Sequence, residues 1–396
     1  MKLIKRLLLI IIIPFLSFGQ GFIQSYGTDD EGDYAIQRND GGYAFIGWGA
    51  NASIYFNISD SNGDVIVESI LDDYYPVRGS CIQQTLDNGY VILGKQMMDN
   101  LGLIYKFDNT GNLEWLIIDE EIGRNHIAQT TDGGYITIGN ALTKIDSNGS
   151  IEWSNPNVSG REIQQTDDGG YIIASPYNDY DYIENTVYRL IKTNSEGLEE
   201  WIYEYNTDSS SWSSISLEDM PSVQQTDDMG FITIISFSYQ SFGEGFYGTY
   251  LIKIDQNGNQ QWIQEFSSTG LSLLGQRVRV TADEGFIIAG GIATSSVNFE
   301  DFYIEGSGGI WLLKLDSYGV EQWSKKLGDT SWYGVANSIE QTTDNGYIIA
   351  GTLEGDENYW GNLMIKTDSE GNINSTSIVE TPTIKKNLIT TADILG

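Results

Sequence analysis

The chain has 396 residues, of which 55 are acidic and 21 are basic, giving a formal net charge of −34. A charge of this sign opposes binding to nucleic acid and to anionic lipid. With one cysteine and one histidine in the chain, an intrachain disulfide is excluded, and the composition argues against a catalytic triad or a histidine-rich metal site. We therefore name no catalytic residue and no metal ligand.

The N-terminal residues 1–19 predict a secretory signal peptide. Three basic residues open the segment, an apolar run follows at 7–16, and Ser17 and Gly19 supply small side chains for cleavage before Gln20. The apolar run is short for a membrane span, and no later stretch predicts a transmembrane segment in the mature chain. We expect the protein to be secreted or displayed on the outer cell surface.

A tight turn followed by an aromatic residue recurs seven times at a mean period of about 51 residues. In the second copy, residues 82–94 read IQQTLDNGYVILG, which is two β-prone runs joined by Asn-Gly. This pattern predicts a β-hairpin, because Asn and Gly tolerate the positive φ of such turns. The aromatic residues are Tyr43, Tyr90, Tyr135, Tyr171, Phe231, Phe286 and Tyr347.

Each copy continues with a third and a fourth β-prone run. The third run ends in an Asp/Asn-x-x-Gly turn, as at 108–111. At one position of the fourth run, the first and last copies have Val67 and Ser375. The other copies carry tryptophan at this position: Trp115, Trp153, Trp201, Trp262 and Trp323.

Four strands in each of seven copies predict an all-β fold, a seven-bladed β-propeller of four-stranded antiparallel blades over residues 20–374. Each sheet would bury both faces against its neighbours, with the tryptophans filling the wedge between them. Residues 22–27 align with 323–328, a fourth strand without its own first three. We expect this N-terminal strand to pair into the last blade and close the ring.

The run KFDNTGNLEW at 106–115 resembles the tryptophan-docking repeat of quinoprotein (PQQ-like) propellers. The whole unit more closely resembles the repeat of secreted bacterial propeller proteins exported by the type IX secretion system. Residues 375–396 are interpreted as a linker and the start of a truncated C-terminal sorting segment, since 381–396 resemble the beginning of such a segment. A disordered linker is the alternative for this tail. Quinoprotein dehydrogenases have eight blades and an adjacent-cysteine disulfide, so the resemblance implies no PQQ cofactor here.

The loops between second and third strands, and between blades, vary in length and share one face. We call it the variable face. Variable loops on a rigid scaffold commonly bind ligands. Aromatic rings beside acids and amides stack on sugars and form protein hot spots, although packing of the loops is the alternative role. The candidate ligand-binding aromatics are Tyr180, Tyr182, Trp212, Tyr247, Tyr303, Trp332, Tyr333, Tyr359 and Trp360.

Four arginines, Arg78, Arg124, Arg161 and Arg277, fall just before first strands. They are predicted to ring the channel mouth on the variable face, where they would hold an anionic ligand or, as we favour, neutralise acidic loops.

Calcium is the one cofactor left open. Residues 60–64 (DSNGD) alternate oxygen ligands but lack the glycine and glutamate of an EF-hand loop. We favour an Asx turn here, so no motif supports Ca²⁺. Cys81 precedes an isoleucine and is predicted to be a buried, inert thiol.

The sequence favours a monomeric binding or adhesion protein that recognises a glycan or an extracellular protein through the variable face. The alternative is an extracellular carbohydrate-active enzyme, a glycosidase or lyase, that uses carboxylates on the same face.

Overall fold

The computed structural model describes most of the chain from residue 21 to residue 390. The described residues are 21–26, 31–49, 52–72, 76–178, 186–206, 213–214, 221–241, 244–267, 271–293, 297–298, 303–304, 308–328, 333–354, 359–373, 379–380 and 387–390. The predicted signal peptide lies outside them.

The first half of the chain forms strands that, from β2 onward, pair antiparallel with their sequence neighbours within each sheet. Their bounds are β1 (Phe22–Ser25), β2 (Gly32–Gln37), β3 (Tyr43–Gly49), β4 (Ser53–Ser59), β5 (Val65–Asp72), β6 (Val77–Gln84), β7 (Tyr90–Gln96), β8 (Gly102–Phe107), β9 (Leu113–Asp119), β10 (His126–Gln129), β11 (Tyr135–Ile138), β12 (Leu142–Ile145), β13 (Ile151–Asn155), β14 (Glu162–Gln165), β15 (Tyr171–Asn178), β16 (Thr186–Thr193) and β17 (Glu199–Asn206). The strands from β2 to β17 form consecutive sheets, β2–β5, β6–β9, β10–β13 and β14–β17, each in chain order.

The second half repeats this arrangement. Its strands are β18 (Ser213–Ser214), β19 (Ser222–Gln225), β20 (Phe231–Ser241), β21 (Glu244–Ile254), β22 (Gln260–Phe266), β23 (Ser272–Val280), β24 (Phe286–Ala293), β25 (Val297–Asn298), β26 (Tyr303–Ile304), β27 (Gly308–Leu315), β28 (Glu321–Leu327), β29 (Tyr333–Gln341), β30 (Tyr347–Glu354), β31 (Tyr359–Thr367), β32 (Val379–Glu380) and β33 (Asn387–Thr390). The orders are β19–β20–β21–β22, β23–β24–β27–β28 and β29–β30–β31–β1. The N-terminal β1 pairs antiparallel with β31, with Phe22 opposite Lys366.

The first strands of the sheets line up side by side. We call β2, β6, β10, β14, β19, β23 and β29 the inner strands. Each contacts the inner strand of the next sheet, and β29 also contacts β2. Glutamine amides link the sheets: Gln84 Oε1 accepts from the Asn39 N–H of the preceding hairpin turn, and Gln37 Oε1 accepts from the Thr343 N–H, both within 3 Å.

The repeated aromatic residues pack between neighbouring sheets, as predicted. The Trp201 ring centroid lies 5.7 Å from that of Phe231 in the next sheet. Gly258, at φ +86°, lies under the same tryptophan, and a Cβ there would come within 2.9 Å of its ring. In β1, Phe22 takes the tryptophan position, and its ring lies 5.4 Å from that of Tyr43.

A buried lysine in the third strand pairs with the aspartate of the preceding hairpin turn in six sheets. Lys366, for example, lies 2.9 Å from a carboxylate oxygen of Asp344 and donates to the Thr367 carbonyl. Burying an ammonium is costly unless it is paired, so the aspartate fixes the turn against its own sheet. The other pairs are Lys106–Asp87, Lys144–Asp132, Lys192–Asp168, Lys253–Asp228 and Lys314–Asp283.

In the first sheet, different residues pair with the aspartate of the hairpin turn. Ile58 replaces the lysine, and Arg38 stands where other hairpin turns have threonine. Arg38 lies 2.6 Å from Asp40 and donates to the Ser59 carbonyl. Arg38 therefore contacts the equivalent aspartate and the equivalent carbonyl from a different position in its sheet.

Two expectations about local structure are confirmed. The Asp60 carboxylate accepts hydrogen bonds from the backbone N–H groups of Asn62 and Asp64 at 2.8 and 3.0 Å, which is an Asx turn. Cys81 is buried, and burial raises the pKa of its thiol to about 12. In the tail, β32 and β33 pair in parallel with β1 and β5, the outer strands of the last and first sheets.

Candidate functional site

The inner strands lie side by side, and charged residues gather at their two ends. At the end where the inner strands begin, Arg78, Lys95, Arg124 and Arg161 form a group that we call the basic cluster. Arg78 in β6 and Lys95 in β7 are antiparallel register partners. The cluster therefore lies on the variable face, since β6 begins and β7 ends there.

These four basic residues lie close enough together for their charges to interact. Burial lowers the pKa of Lys95, and Arg124, Arg161 and Arg78 lower it further. Burial also lowers the pKa of Arg124, whose guanidinium donates to the Asn100 carbonyl. Like charges held together are unfavourable unless a counter-charge is present.

Arg78 is the one member of the cluster that has acidic partners in the described part of the chain. It pairs with Glu31, lies 3.5 Å from Asp33, and stacks 5.3 Å from the Trp48 ring. Burial raises the pKa of Asp33 to about 7, although Arg78 acts to lower it. Within the described ranges, Lys95, Arg124 and Arg161 form no ion pair with a carboxylate.

A cavity of about 690 Å³ lies at the opposite end of the inner strands. Its rim includes hairpin-turn residues such as Asn39, Thr85 and Thr343, so it opens on the face with short, uniform turns. Tyr34 and Arg279 lie deeper in the cavity.

The floor of this cavity is a buried ionic network centred on Arg279. Its guanidinium lies 3.1 Å from Glu162 and 2.8 Å from Glu340, and donates to the Tyr34 hydroxyl at 2.7 Å. Although burial opposes it, Arg279 and Arg277 lower the pKa of Glu162 to about 2. The charged residues of the floor are therefore mutually compensated.

No protein-family model matches the chain, and no curated protein matches it. A structure of YCF48 bound to a D1 peptide is similar, with a TM-score of 0.52 and 11% identity over 89% of this chain and 96% of that one. BBS1N in complex with ARL6DN aligns at TM-score 0.49 and 11% identity, covering 89% and 98%. The β-propeller domain of the Trilobed protease from Pyrococcus furiosus aligns at TM-score 0.47 and 9% identity, covering 90% and 100%.

The repeated four-stranded sheets and the YCF48 likeness support one fold. The chain is a β-propeller. Identities this low say nothing further about the propeller's activity. Among the described residues, no helix is long and apolar enough to cross a membrane.

The position predicted for Arg277 was wrong. The inner strand β23 begins at Ser272, so Arg277 lies inside the strand and not ahead of it. Its side chain is 4% exposed and lies 3.8 Å from Glu162. Arg78 has the neutralising role that we favoured, since it pairs with Glu31 and Asp33. For Arg124 and Arg161 that role stays a prediction, because the acidic loops predicted on this face lie largely outside the described residues.

Several residues predicted to lie in loops belong to strands instead, in the third strands β21 and β31, the inner strand β29 and the short β25–β26 hairpin. Tyr247 lies in β21 and is buried against Leu274 and Ala293. Tyr303, Tyr333 and the pair Tyr359 and Trp360 lie within β26, β29 and β31, where the structure describes the backbone but not these side chains. Tyr180, Tyr182, Trp212 and Trp332 lie outside the described residues.

Sequence analysis missed Lys95 and the lysine–aspartate pairs. The signal for Lys95 was present, since a lysine interrupts the apolar run VILGKQ near the end of a second strand. Antiparallel pairing places that position opposite the start of the inner strand, where Arg78 was already a candidate.

Proposed function

We propose that this chain is an exported seven-bladed propeller that binds an anionic glycan at the basic cluster. The observation that carries the proposal is the convergence of Lys95, Arg124 and Arg161 without carboxylate partners in the described chain. Within the described ranges no carboxylate supplies a counter-charge to these three residues, and a ligand that brings negative charge would provide one.

The chemistry of the cluster favours carboxylate or sulfate groups on a sugar chain. Guanidinium groups bind planar carboxylates through two parallel hydrogen bonds, and an ammonium adds a point charge. Arg124 and Arg161 precede neighbouring inner strands, β10 and β14, so they could contact successive acidic groups of one chain. Aromatic residues predicted around this face would stack on the sugar rings between them.

Seven blades and a closed ring are part of the proposal. Seven inner strands contact one another in succession, and β29 returns to β2. The N-terminal β1 supplies the fourth strand beside β31, and the Gln37–Thr343 hydrogen bond joins the first and last sheets. A closed ring holds the loops of the variable face at fixed spacing.

The extracellular setting rests on the signal-peptide pattern at 1–19 and on the resemblance of the repeats to type IX cargo. Outside the cell, acidic polysaccharides are abundant polymers for capture or adhesion. We propose a monomer that works without a metal cofactor.

The test is affinity electrophoresis of the chain from Gln20 onward. Gels are cast with polygalacturonate, alginate or chondroitin sulfate, and control gels with dextran or laminarin, which are neutral. The proposal expects retardation in at least one acidic gel, reduced by salt because exposed ion pairs are screened. Equal mobility in all gels would overturn it and direct attention to a protein partner. Clearing of the polysaccharide along the lane would favour the carbohydrate-active enzyme.

A further inference from the structure

The cavity opposite the basic cluster has the features of a second binding site. Its volume of about 690 Å³ falls in the range of small-molecule pockets. It opens on the face with uniform turns, at the far end of the inner strands from Lys95 and Arg78. The proposed glycan site does not use it.

The cavity walls carry hydrogen-bond donors whose orientation is fixed. The Oε1 atoms of Gln83, Gln164 and Gln224 accept from the backbone N–H groups of Gln129, Gln225 and Val280 at 2.6–2.9 Å. A backbone N–H can only donate, so each amide must present its oxygen to the neighbouring strand. The three Nε2 groups make no hydrogen bond among the described residues and remain available to the cavity.

Acceptors are present as well. Glu340 uses Oε1 for Arg279 and for the Tyr34 hydroxyl, and its side chain is 30% exposed, so the second oxygen is left to the cavity. His126 also lines the cavity, is 8% exposed, and neither ring nitrogen has a hydrogen-bond partner in the described chain. Burial lowers the pKa of His126 to about 4, so the ring is neutral and offers one donor and one acceptor.

The cavity carries little net charge. Arg279 is matched by Glu162 and Glu340, and Arg38 at the rim is matched by Asp40. A charged ligand would lose its hydration on entering the cavity, and the protein charges of opposite sign there are already paired with other side chains. A partly buried apolar residue, Ile36, also lines the cavity.

We propose that this cavity binds a neutral polyhydroxyl compound, one or two sugar rings in size. Hydroxyl groups both donate and accept, so they match amide donors beside a carboxylate and an unpartnered imidazole. The C–H face of a ring fits the partly buried Ile36 that lines the cavity. The site is independent of the basic cluster in position and in charge.

The test is saturation-transfer-difference NMR with cellobiose, maltose, lactose and myo-inositol on the chain from Gln20 onward. The proposal expects millimolar binding of at least one compound. The variant Gln164→Glu with Gln224→Glu keeps the oxygen that accepts from the neighbouring strand but replaces two Nε2 donors with carboxylate oxygens. We expect it to weaken binding at least tenfold.

The matched control is Gln165→Glu. Gln165 accepts from the Thr131 N–H but does not line the cavity, so sugar binding should be unchanged. Gln83→Glu provides a second test from a different sheet, should the double variant fail to fold. Binding of no neutral compound, binding of galacturonate or phosphate alone, or equal binding by parent and folded variants would overturn the proposal. Arg124→Gln with Arg161→Gln should retain the sugar signal, which separates this site from the glycan site.

Discussion

The lysine–aspartate pair of the last sheet predicts an asymmetric response to mutation. The Lys366 side chain is 1% exposed, whereas that of Asp344 is 21% exposed. Asp344 also accepts from Gly346 N–H and from the Thr342 hydroxyl, so it keeps partners when the lysine is removed. Lys366 retains the Thr367 carbonyl but no negative charge when the aspartate is removed.

These contacts set the magnitudes. Asp344→Asn leaves a buried, unpaired ammonium, and removing one partner of a buried pair costs about 3 kcal/mol. Lys366→Met keeps the length of the apolar stem and leaves a partly solvated carboxylate, so we expect about 1 kcal/mol from the lost pair. The difference of about 2 kcal/mol follows from which charge is stranded out of water.

The first sheet suggests the control. Lys366→Ile with Thr342→Arg copies the arrangement of Ile58 and Arg38, so the double variant should be more stable than Lys366→Ile alone. Urea denaturation followed by tryptophan fluorescence gives the free energies of unfolding. Equal losses for Asp344→Asn and Lys366→Met, or no recovery in the double variant, would refute the assignment of the pair as a buried structural element.

Three further predictions concern stability and pH. Gly258→Ala should lower the melting temperature more than Gly169→Ala. Both residues have positive φ, but only at Gly258 would the added Cβ contact a tryptophan ring. Equal decreases in melting temperature would contradict tryptophan docking. Although burial acts to raise it, hydrogen bonds from threonine and lysine lower the pKa of Asp87 and Asp132 to about 2. The stability that these two carboxylates contribute is fully present above their unfolded pKa of about 4 and is lost as the pH falls toward 2. Acid titration followed by circular dichroism should therefore show unfolding between pH 4 and pH 2. A fold that stays stable at pH 2 would contradict this prediction. Burial raises the pKa of Asp33 to about 7, so this carboxylate gains a proton below that pH and neutralises Arg78 less. Binding of the acidic glycan should therefore tighten from pH 8 to pH 6. The variant Asp33→Asn should remove this pH dependence.

Much of the fold was predictable because its local signals repeat. Asn-Gly and Asp-Gly turns, the anchor aromatics and the docking tryptophans each mark a defined position, and an accidental match is unlikely to recur at one period. The bounds of the strands were less predictable. β20 and β21, of eleven residues each, continue as one hairpin into a segment expected to be a loop. Alternating polar and aromatic residues fit both an extended strand and a loop.

The site was predictable only in part. Arg78, Arg124 and Arg161 precede or begin inner strands, so position alone brought them together with Lys95. Arg277 shares the residue type, but β23 starts five residues earlier and places it beside the buried Glu162. The cavity depends on how unlike residues of separate inner strands meet, as Tyr34, His126 and Arg279 do. The spacing of these residues along the chain does not reveal that their side chains lie close together.

The most direct test of anionic-glycan binding compares charge-neutralised variants by isothermal titration calorimetry with the acidic oligosaccharide found by electrophoresis. Arg124→Gln with Arg161→Gln removes two charged donors from the basic cluster, and each charge-assisted hydrogen bond contributes about 1.5 kcal/mol, so affinity should fall about 100-fold. Arg189→Gln makes the same change at an arginine paired with Glu204, away from the cluster, and should match the parent. Unchanged affinity in the double variant, or equal losses in all variants, would contradict the basic cluster as the binding site.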